Sequence, residues 1–178
     1  VRVNPKLKHR KPSGDIFERS LDLCLVSPSA AMITRELFDR SGGFDESLPV
    51  CEDYDLWLRI ARDYPVSLIE QALVVKHGGH SDQLSRSTWG MDRYRVVALH
   101  KLLRSGIAGQ QRSAVLRVLN NKLAVLAHGA RKRGKVADAE GYQTMLSEFA
   151  EEMGDVGERV SKFCGGEGLP SADVGPLA

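Results

Sequence analysis

The hydrophobic pattern of this chain changes near residue 86, and this change limits the folds that the chain can adopt. Before it, apolar residues stand in short runs at 21–26, 66–69 and 72–75, each bounded by polar or turn-forming residues. Short apolar runs with such boundaries are typical of buried strands. A fourth run at 30–33 fits either a strand or the approach to a helix. The first part of the chain is therefore predicted to contain strands.

Two short helices are predicted between these runs. Thr34 is a suitable N-cap for a helix that ends at Gly42 and Gly43, because threonine accepts a hydrogen bond from a free N–H and glycine tolerates the left-handed conformation. A second helix is predicted at about 53–64, where a proline follows and stops it. Strands combined with helices predict an α/β fold for residues 1–86.

The rest of the chain is helical in pattern. Apolar residues recur at intervals of about 3.6 residues, which predicts helices at 91–103, 114–130 and 136–153. The last residues, 165–178, are rich in glycine and proline, and such a tail is expected to be disordered. We therefore expect a helical extension at 87–164, followed by the tail.

Composition argues against several classes of protein. The 178 residues carry a formal net charge of +2, which is too small to indicate a nucleic-acid-binding protein. Apolar runs such as 73–75 are far shorter than the roughly 20 residues that cross a bilayer. The three cysteines are far apart and odd in number, which argues against a disulfide framework and a paired-cysteine zinc site. These features favour a cytoplasmic protein.

The most informative stretch holds two glycines followed by a cluster of carboxylates. It reads Gly-Gly-Phe-Asp-Glu at 42–46 and Cys-Glu-Asp-Tyr-Asp-Leu-Trp-Leu-Arg at 51–59. Two glycines let the backbone approach a ligand closely. The carboxylates also have a structural explanation, because Asp53 can cap the predicted helix and acidic residues in a first turn gain about 0.3–1 kcal/mol each from the helix dipole. The residues alone leave both interpretations open.

These motifs resemble the signature of family-2 glycosyltransferases with the GT-A fold. The segments Ser-Pro-Ser-Ala-Ala-Met-Ile at 27–33 and Gly-Gly-His-Ser-Asp-Gln-Leu-Ser at 78–85 also match bacterial members of this family, so that the resemblance covers about residues 10–86. It implies that residues 1–86 are the C-terminal, acceptor-side part of the catalytic domain. The implied fold class is a partial GT-A layer, which is an α/β, nucleotide-diphospho-sugar transferase-like fold, followed by an α-helical extension.

The resemblance also implies a reaction. Family members transfer a sugar with inversion from a nucleotide-sugar donor to a saccharide or lipid-linked saccharide acceptor, and the Glu-Asp pair supplies the catalytic base. Carried over by position, Asp53 is the base, Glu52 is the second candidate, and Asp55 orients a neighbour or caps the helix. A base is needed because the acceptor hydroxyl does not ionise near neutral pH, and general-base catalysis contributes roughly 10²–10⁴ in rate.

The two glycines and the residues after them are expected to line the acceptor pocket. By position these are Gly42, Gly43, Phe44 and Asp45, where missing side chains let a sugar ring approach the backbone. Trp57 stands between two leucines in the predicted helix, which favours core packing over stacking on a sugar.

The donor side is represented only by a loop. His77 and His80 follow Lys76 in a glycine-containing stretch and are candidates for the donor diphosphate or a metal. The resemblance implies that His80 completes a manganese or magnesium site begun by an upstream Asp-x-Asp motif, which this sequence lacks together with the nucleotide-binding strands. We expect the chain to act with an upstream catalytic half and to bind neither donor nor metal tightly alone.

A basic stretch in the helical part leaves two interpretations open. Seven cations and no carboxylate occur between residues 112 and 135. They fit contact with anionic lipids at the inner face of the membrane, or a solvated face whose cations offset the charge of a helix C-terminus, which we favour. A second function also stays open, namely a non-catalytic binding or scaffolding module derived from a glycosyltransferase.

Overall fold

The computed structural model of the chain describes residues 11–75 and 90–152. These residues form two compact units, one that ends at Leu119 and one that begins at Asn120. The described candidate residues for the acceptor pocket and the base all lie in the first unit.

The described residues are mainly helical. In chain order the elements are α1 (Phe17–Asp22), a 3-10 turn (Pro28–Ala30), α2 (Arg35–Arg40), α3 (Glu52–Asp63), α4 (Asp92–Arg104), α5 (Gly109–Lys132) and α6 (Val136–Glu152).

Helix α3 is the central element of the first unit. Tyr54 and Leu58 form one i, i+4 pair and Leu56 and Ile60 another, and each of the four is at most 4% exposed. The two pairs lie on different faces, so the helix is buried on more than one side. Helices α1 and α4 both pack against it. Burial of each such large side chain contributes roughly 1.5–3 kcal/mol to folding.

Trp57 belongs to the core on another side of α3. Its side chain is only 8% exposed and clusters with Leu56 and Ile60. The cluster packs against partly buried residues before α2 and within it, such as Ile33 and Phe38. The prediction that Trp57 packs in the core is therefore confirmed.

Helix α2 begins and ends as predicted. Thr34 Oγ1 accepts a hydrogen bond from the Leu37 N–H at 3.2 Å, which is the expected N-cap contact. After the helix, Gly42 and Gly43 have φ of 79° and 64°, and the Gly43 N–H donates to the Phe38 carbonyl at 3.1 Å. The left-handed glycines thus close the helix.

The second unit has its own buried side chains. They come from the last part of α5 and from α6: Leu123, Leu126, Ala127, Ala130, Ala139, Leu146 and Phe149. A turn at 133–135 joins the two helices, where the Lys135 N–H donates to the Ala130 carbonyl at 3.0 Å and Gly134 has φ of 72°. The three helices predicted after residue 86 are confirmed, although α5 begins at Gly109, before the predicted residue 114.

The predicted strands are not found in the part of the chain that the structure describes. The run at 21–26 begins inside α1, where Phe17 and Leu21 form a buried i, i+4 pair and Asp15 Oδ1 accepts from the Phe17 N–H at 3.1 Å, and residues 23–26 after the helix are not in a strand. The strand predicted at 21–26 is therefore wrong. The run at 30–33 leads from the 3-10 turn into α2, which is the second of its two predicted alternatives.

The two later runs do not form strands either. Val66 makes only an isolated antiparallel bridge with Gly14, with N···O distances of 2.8 and 2.9 Å, and residues 72–75 make no bridge among the described residues. Leu73 is 67% exposed. A strand requires a partner that supplies a ladder of hydrogen bonds, and the described residues offer these runs none. The α/β layer is thus not confirmed.

The compact units divide the chain at a different place from the predicted boundary. Residue 86 marks a change of sequence pattern, whereas the units meet within α5, because α4 shares the core of α3. The assignment of 1–86 to a catalytic part, 87–164 to an extension and 165–178 to a tail stays a prediction. Within the described ranges, no helix has the length and apolar character needed to cross a membrane.

The Tyr54 hydroxyl gives a test of the packing between α1 and α3. It is buried and donates a hydrogen bond to the Leu21 carbonyl. We expect Tyr54→Phe to lower the free energy of unfolding in urea by about 1–2 kcal/mol, because the carbonyl loses its buried donor. Tyr64→Phe is the matched control, since the Tyr64 hydroxyl is exposed and only accepts from Arg40 at 3.3 Å; its effect should stay below about 0.5 kcal/mol. Equal losses in the two variants would contradict this packing.

Candidate functional site

The Glu-Asp pair occupies the first turn of α3. Glu52 is the first and Asp53 the second residue of the helix, where the positive end of the dipole favours carboxylates. The residue before them, Cys51, is buried and has φ of 66°, and it is the only non-glycine residue with positive φ among those the structure describes. Such a backbone costs of the order of 1–3 kcal/mol and is a reason to look for function nearby. The predicted position of Asp53 at a helix N-terminus is confirmed.

Two donors contact the Asp53 carboxylate. Its Oδ1 accepts from the Tyr54 N–H at 2.7 Å, and its Oδ2 lies 3.5 Å from the thiol of Cys24. Asp53 is partly buried, and neither it nor Glu52 forms an ion pair within residues 11–75 and 90–152. Asp53 is therefore an oriented carboxylate without a paired cation in this part of the chain.

Cys24 remains a thiol at neutral pH. Burial, followed by the charge and the hydrogen bond of Asp53, raises the pKa of Cys24 to about 12. The protonated sulfur is thus able to donate to Asp53, although it also lies 3.3 Å from the Val26 carbonyl, so that its single proton serves both acceptors.

Asp55 has a different role from Asp53. Its side chain is only 2% exposed, and its Oδ2 accepts from Arg59 Nη2 at 2.7 Å and from Arg59 Nε at 3.0 Å. Its Oδ1 lies 3.0 Å from Lys101 Nζ on α4. The prediction that Asp55 orients a neighbour agrees with these contacts.

Arg59 extends from this pair to the loop that contains the two glycines. Its guanidinium donates to the Ser41 carbonyl and, at 2.8 Å, to the Gly43 carbonyl. A Cβ at Gly43 would lie 3.3 Å from the Phe38 ring, and one at Gly42 would lie 3.8 Å from Arg59. Positive φ and close neighbours together explain why glycine stands at both positions.

Asp45 completes the network. Lys101 pairs with its Oδ2, while its Oδ1 accepts from the Ser47 hydroxyl at 2.6 Å and the Ser47 N–H at 2.9 Å. The hydrogen bonds of Lys101 and then of Ser47 hold the pKa of Asp45 well below its usual range. Burial acts to lower the pKa of Lys101, but its hydrogen bonds to Asp45 and Asp55 outweigh this effect. The pKa of Lys101 is therefore raised. Asp45 therefore anchors the loop in the structure.

Phe44 is the side chain of this loop that faces solvent. It is 40% exposed and makes an edge contact with Phe38, with ring centroids 5.6 Å apart. Gly42, Gly43 and Asp45 lie beside it in one loop, as the sequence requires. That these four residues line an acceptor pocket stays a prediction.

The candidate donor and metal residues, Lys76, His77 and His80, lie outside the described residues. Among the residues the structure describes, no three His, Cys, Asp or Glu side chains are grouped so as to hold a metal ion. Asp53 and Cys24 do not form such a site by themselves, because two side chains are fewer than the three or four protein ligands of a typical metal site. Within the described ranges the site is an arrangement of oriented carboxylates.

Sequence reasoning missed two residues that contact the motif. Cys24 and Lys101 reach it across 29 and 56 positions of the chain, and no local pattern signals contacts of that separation. The Asp55–Arg59 pair could have been predicted from the sequence, because its i, i+4 spacing places both side chains on one face of a helix.

The same region of the chain matches a known family. Residues 16–86 match the model of a family described as "Glycosyltransferase like family 2". The match includes the loop of Gly42 and Gly43 and the whole of α3, and it ends before Lys101.

Two curated relatives agree with this match. An uncharacterized glycosyltransferase from Rickettsia felis is 34% identical over 62 residues, and one from Rickettsia conorii is 32% identical over 62 residues. In each case the match covers 35% of this chain and 10% of the relative, so the chain spans about a tenth of the length of these relatives. No solved structure matches at a significant level. Over residues 16–86, this chain is therefore similar to family-2 glycosyltransferases.

Proposed function

We propose that this chain is the acceptor-side part of an inverting glycosyltransferase. In this proposal the enzyme transfers a sugar from a nucleotide-sugar donor to a saccharide or lipid-linked saccharide, as in the assembly of bacterial surface polysaccharides. The chain works together with an upstream nucleotide-binding half, on the cytoplasmic side of the membrane. Asp53 is the catalytic base, and Glu52 is the second candidate.

The contrast between Asp53 and its acidic neighbours supports this assignment. Asp55 and Asp45 are engaged by Arg59 and Lys101, so that their negative charges are already balanced. Asp53 is partly exposed and contacts only hydrogen-bond donors among the described residues. A general base must have a lone pair that an acceptor hydroxyl can reach. Of the three aspartates, Asp53 meets this requirement best.

The proposed step moves one proton and exchanges one bond. The acceptor hydroxyl oxygen attacks the anomeric carbon of the donor sugar and forms the new glycosidic bond. The bond from that carbon to the diphosphate oxygen breaks, and its electron pair leaves with the nucleoside diphosphate. The acceptor proton passes to Asp53, which needs the hydroxyl within about 2.6–3.2 Å. Attack from the face opposite the leaving group inverts the anomeric centre.

Local structure prepares Asp53 for this role. The Tyr54 N–H and the Cys24 thiol contact different oxygens, and this fixes the plane of the carboxylate. The strained backbone of Cys51 sets the direction in which α3 begins. Orientation of a reacting group before substrate binds lowers the entropic part of the barrier.

The donor side of the proposal rests on the resemblance. A manganese or magnesium ion in the complete enzyme would supply positive charge beside the diphosphate. The described residues provide no site for it, so we assign it to upstream carboxylates and His80. Lys76 and His77 belong to the same loop in sequence and are proposed to lie near the diphosphate.

Turnover of the complete enzyme tests the base. In a polypeptide that joins this chain to the upstream half, we expect Asp53→Asn to lower kcat of sugar transfer by roughly 10²–10⁴. The reason is that the attacking hydroxyl no longer has a carboxylate to take its proton. The KM for the donor should stay close to that of the wild type. The measurement is the release of nucleoside diphosphate from a panel of UDP- and GDP-sugars with saccharide acceptors.

Asp63→Asn is the matched control for this experiment. Asp63 lies at the other end of the same helix, pairs with Arg62 and is about half exposed. Its substitution should leave kcat unchanged. Wild-type turnover in Asp53→Asn would remove Asp53 as the base, whereas no transfer by the wild type with any donor would favour the non-catalytic alternative.

The reactivity of Cys24 tests the placement of Asp53 without any substrate. Because the charge and hydrogen bond of Asp53 contribute to the raised pKa of Cys24, Asp53→Asn should lower that pKa. A lower pKa increases the thiolate fraction, tenfold for about each pKa unit, and the thiolate is the form that reacts. We expect iodoacetamide at alkaline pH to alkylate Cys24 several-fold faster in Asp53→Asn, measured by mass spectrometry of its peptide.

Glu52→Gln controls for the loss of a neighbouring negative charge. Glu52 is adjacent to Asp53 in the helix, and it is not among the main causes of the raised pKa of Cys24. Its substitution should leave the rate of alkylation near that of the wild type. Equal rates in all three proteins would place Asp53 away from Cys24.

A further inference from the structure

The Gly-Gly-Phe-Asp loop is tied to a helix that lies outside the family match. Lys101 is on α4, beyond the end of the matched segment at residue 86. Its ammonium group contacts Asp45 in the loop and Asp55 in α3, the latter at 3.0 Å. One cation thus joins three separate segments of the first unit.

The electrostatics of this contact require all three groups. The Asp55 side chain is 2% exposed, and a buried carboxylate needs cations and hydrogen-bond donors to balance its charge. Arg59 occupies one oxygen of Asp55, and Lys101 lies at the other. Asp45 is the second carboxylate that pairs with the ammonium group of Lys101. Removal of Lys101 leaves two carboxylates without the cation between them.

The loop has a second attachment that reaches only its first part. Arg59 holds the carbonyls of Ser41 and Gly43, which precede Phe44. Lys101 holds Asp45, which follows Phe44. The two cations therefore fix the backbone on both sides of the exposed ring of Phe44.

We propose that Lys101 is a positioning residue that sets the conformation of the loop from Gly42 to Asp45 and the direction of the Phe44 ring. The contact between Lys101, Asp45 and Asp55 carries this inference. That the loop contacts the sugar acceptor rests on the proposed function. That Lys101 positions the loop does not depend on it. In this account α4 is part of the acceptor side of the site, although it follows the segment that resembles the family.

Nuclear magnetic resonance of the 178-residue chain tests the positioning directly. The variant Lys101→Met keeps the length of the side chain and removes its charge. We expect it to move the amide resonances of Gly42 and Gly43 and the ring resonances of Phe44. The pKa of the Asp45 carboxyl should move upward, because the hydrogen bond of Lys101, the largest cause of its lowered pKa, is lost while those of Ser47 remain. Lys101→Arg should restore most of these signals.

Arg104→Met is the matched control. Arg104 is exposed and lies on the same helix as Lys101. Its substitution should leave the loop resonances and the Asp45 titration unchanged. If Lys101→Met does not fold, Asp45→Asn breaks the same contact from the loop side, and it should move the Gly43 and Phe44 resonances. Unchanged loop resonances in a folded Lys101→Met or in Asp45→Asn would overturn the proposal, even if stability fell.

A kinetic measurement then separates this proposal from the proposed function. In the polypeptide with the upstream half, Lys101→Met should raise the KM for the saccharide acceptor several-fold and leave the KM for the nucleotide-sugar donor unchanged. A raised donor KM with an unchanged acceptor KM would contradict the role of Lys101 at the acceptor side. Absence of transfer in the wild type would refute the proposed function, while the resonance experiment would still decide whether Lys101 positions the loop.

Discussion

The buried carboxylate of Asp55 is the interaction on which the arrangement of the site depends. With only 2% of its side chain exposed, it needs the cations Arg59 and Lys101, and these also hold the glycine loop from both ends. Taking one member away leaves an uncompensated charge, which typically costs about 3–5 kcal/mol at a buried pair. The acidic motif therefore divides into two parts. Asp55 and Asp45 hold the structure together, and Asp53 remains as a carboxylate with hydrogen-bond donors and no paired cation among the described residues.

Local signals in the sequence predicted the helices from α2 onward and the start of the site, but they missed α1. Thr34 caps α2, and the acidic residues at 52–55 lie in the first turn of α3, because caps and helix dipoles act over a few residues. The strand predicted at 21–26 does not form, and Leu21 belongs to a helix because Phe17, four residues earlier, is buried with it. The contacts of Cys24 and Lys101 could not be predicted, since they depend on how distant segments pack and leave no trace in local spacing.

The family match and the geometry support different parts of the account. The match extends over residues 16–86 and accounts for the glycine loop and the acidic helix. The geometry adds α4, whose Lys101 contacts both of these features from outside the match. A scaffolding module would also need the Asp55 network to keep its fold. It would not need an oriented carboxylate beside a left-handed Cys51, and this difference favours a catalytic role for the Glu-Asp pair.

The most direct test compares the stability of two matched variants of the 178-residue chain, Asp53→Asn and Asp55→Asn, in urea unfolding at neutral pH. We expect Asp55→Asn to lower the free energy of unfolding by about 3–5 kcal/mol, because Arg59 and Lys101 lose their common anion. Asp53→Asn should stay within about 1 kcal/mol of the wild type, since the amide oxygen can keep the hydrogen bond of the Tyr54 N–H, and only the charge near the helix dipole and the long contact with Cys24 are lost. Equal losses in the two variants, or a larger loss in Asp53→Asn, would contradict the division between a structural and a chemical aspartate.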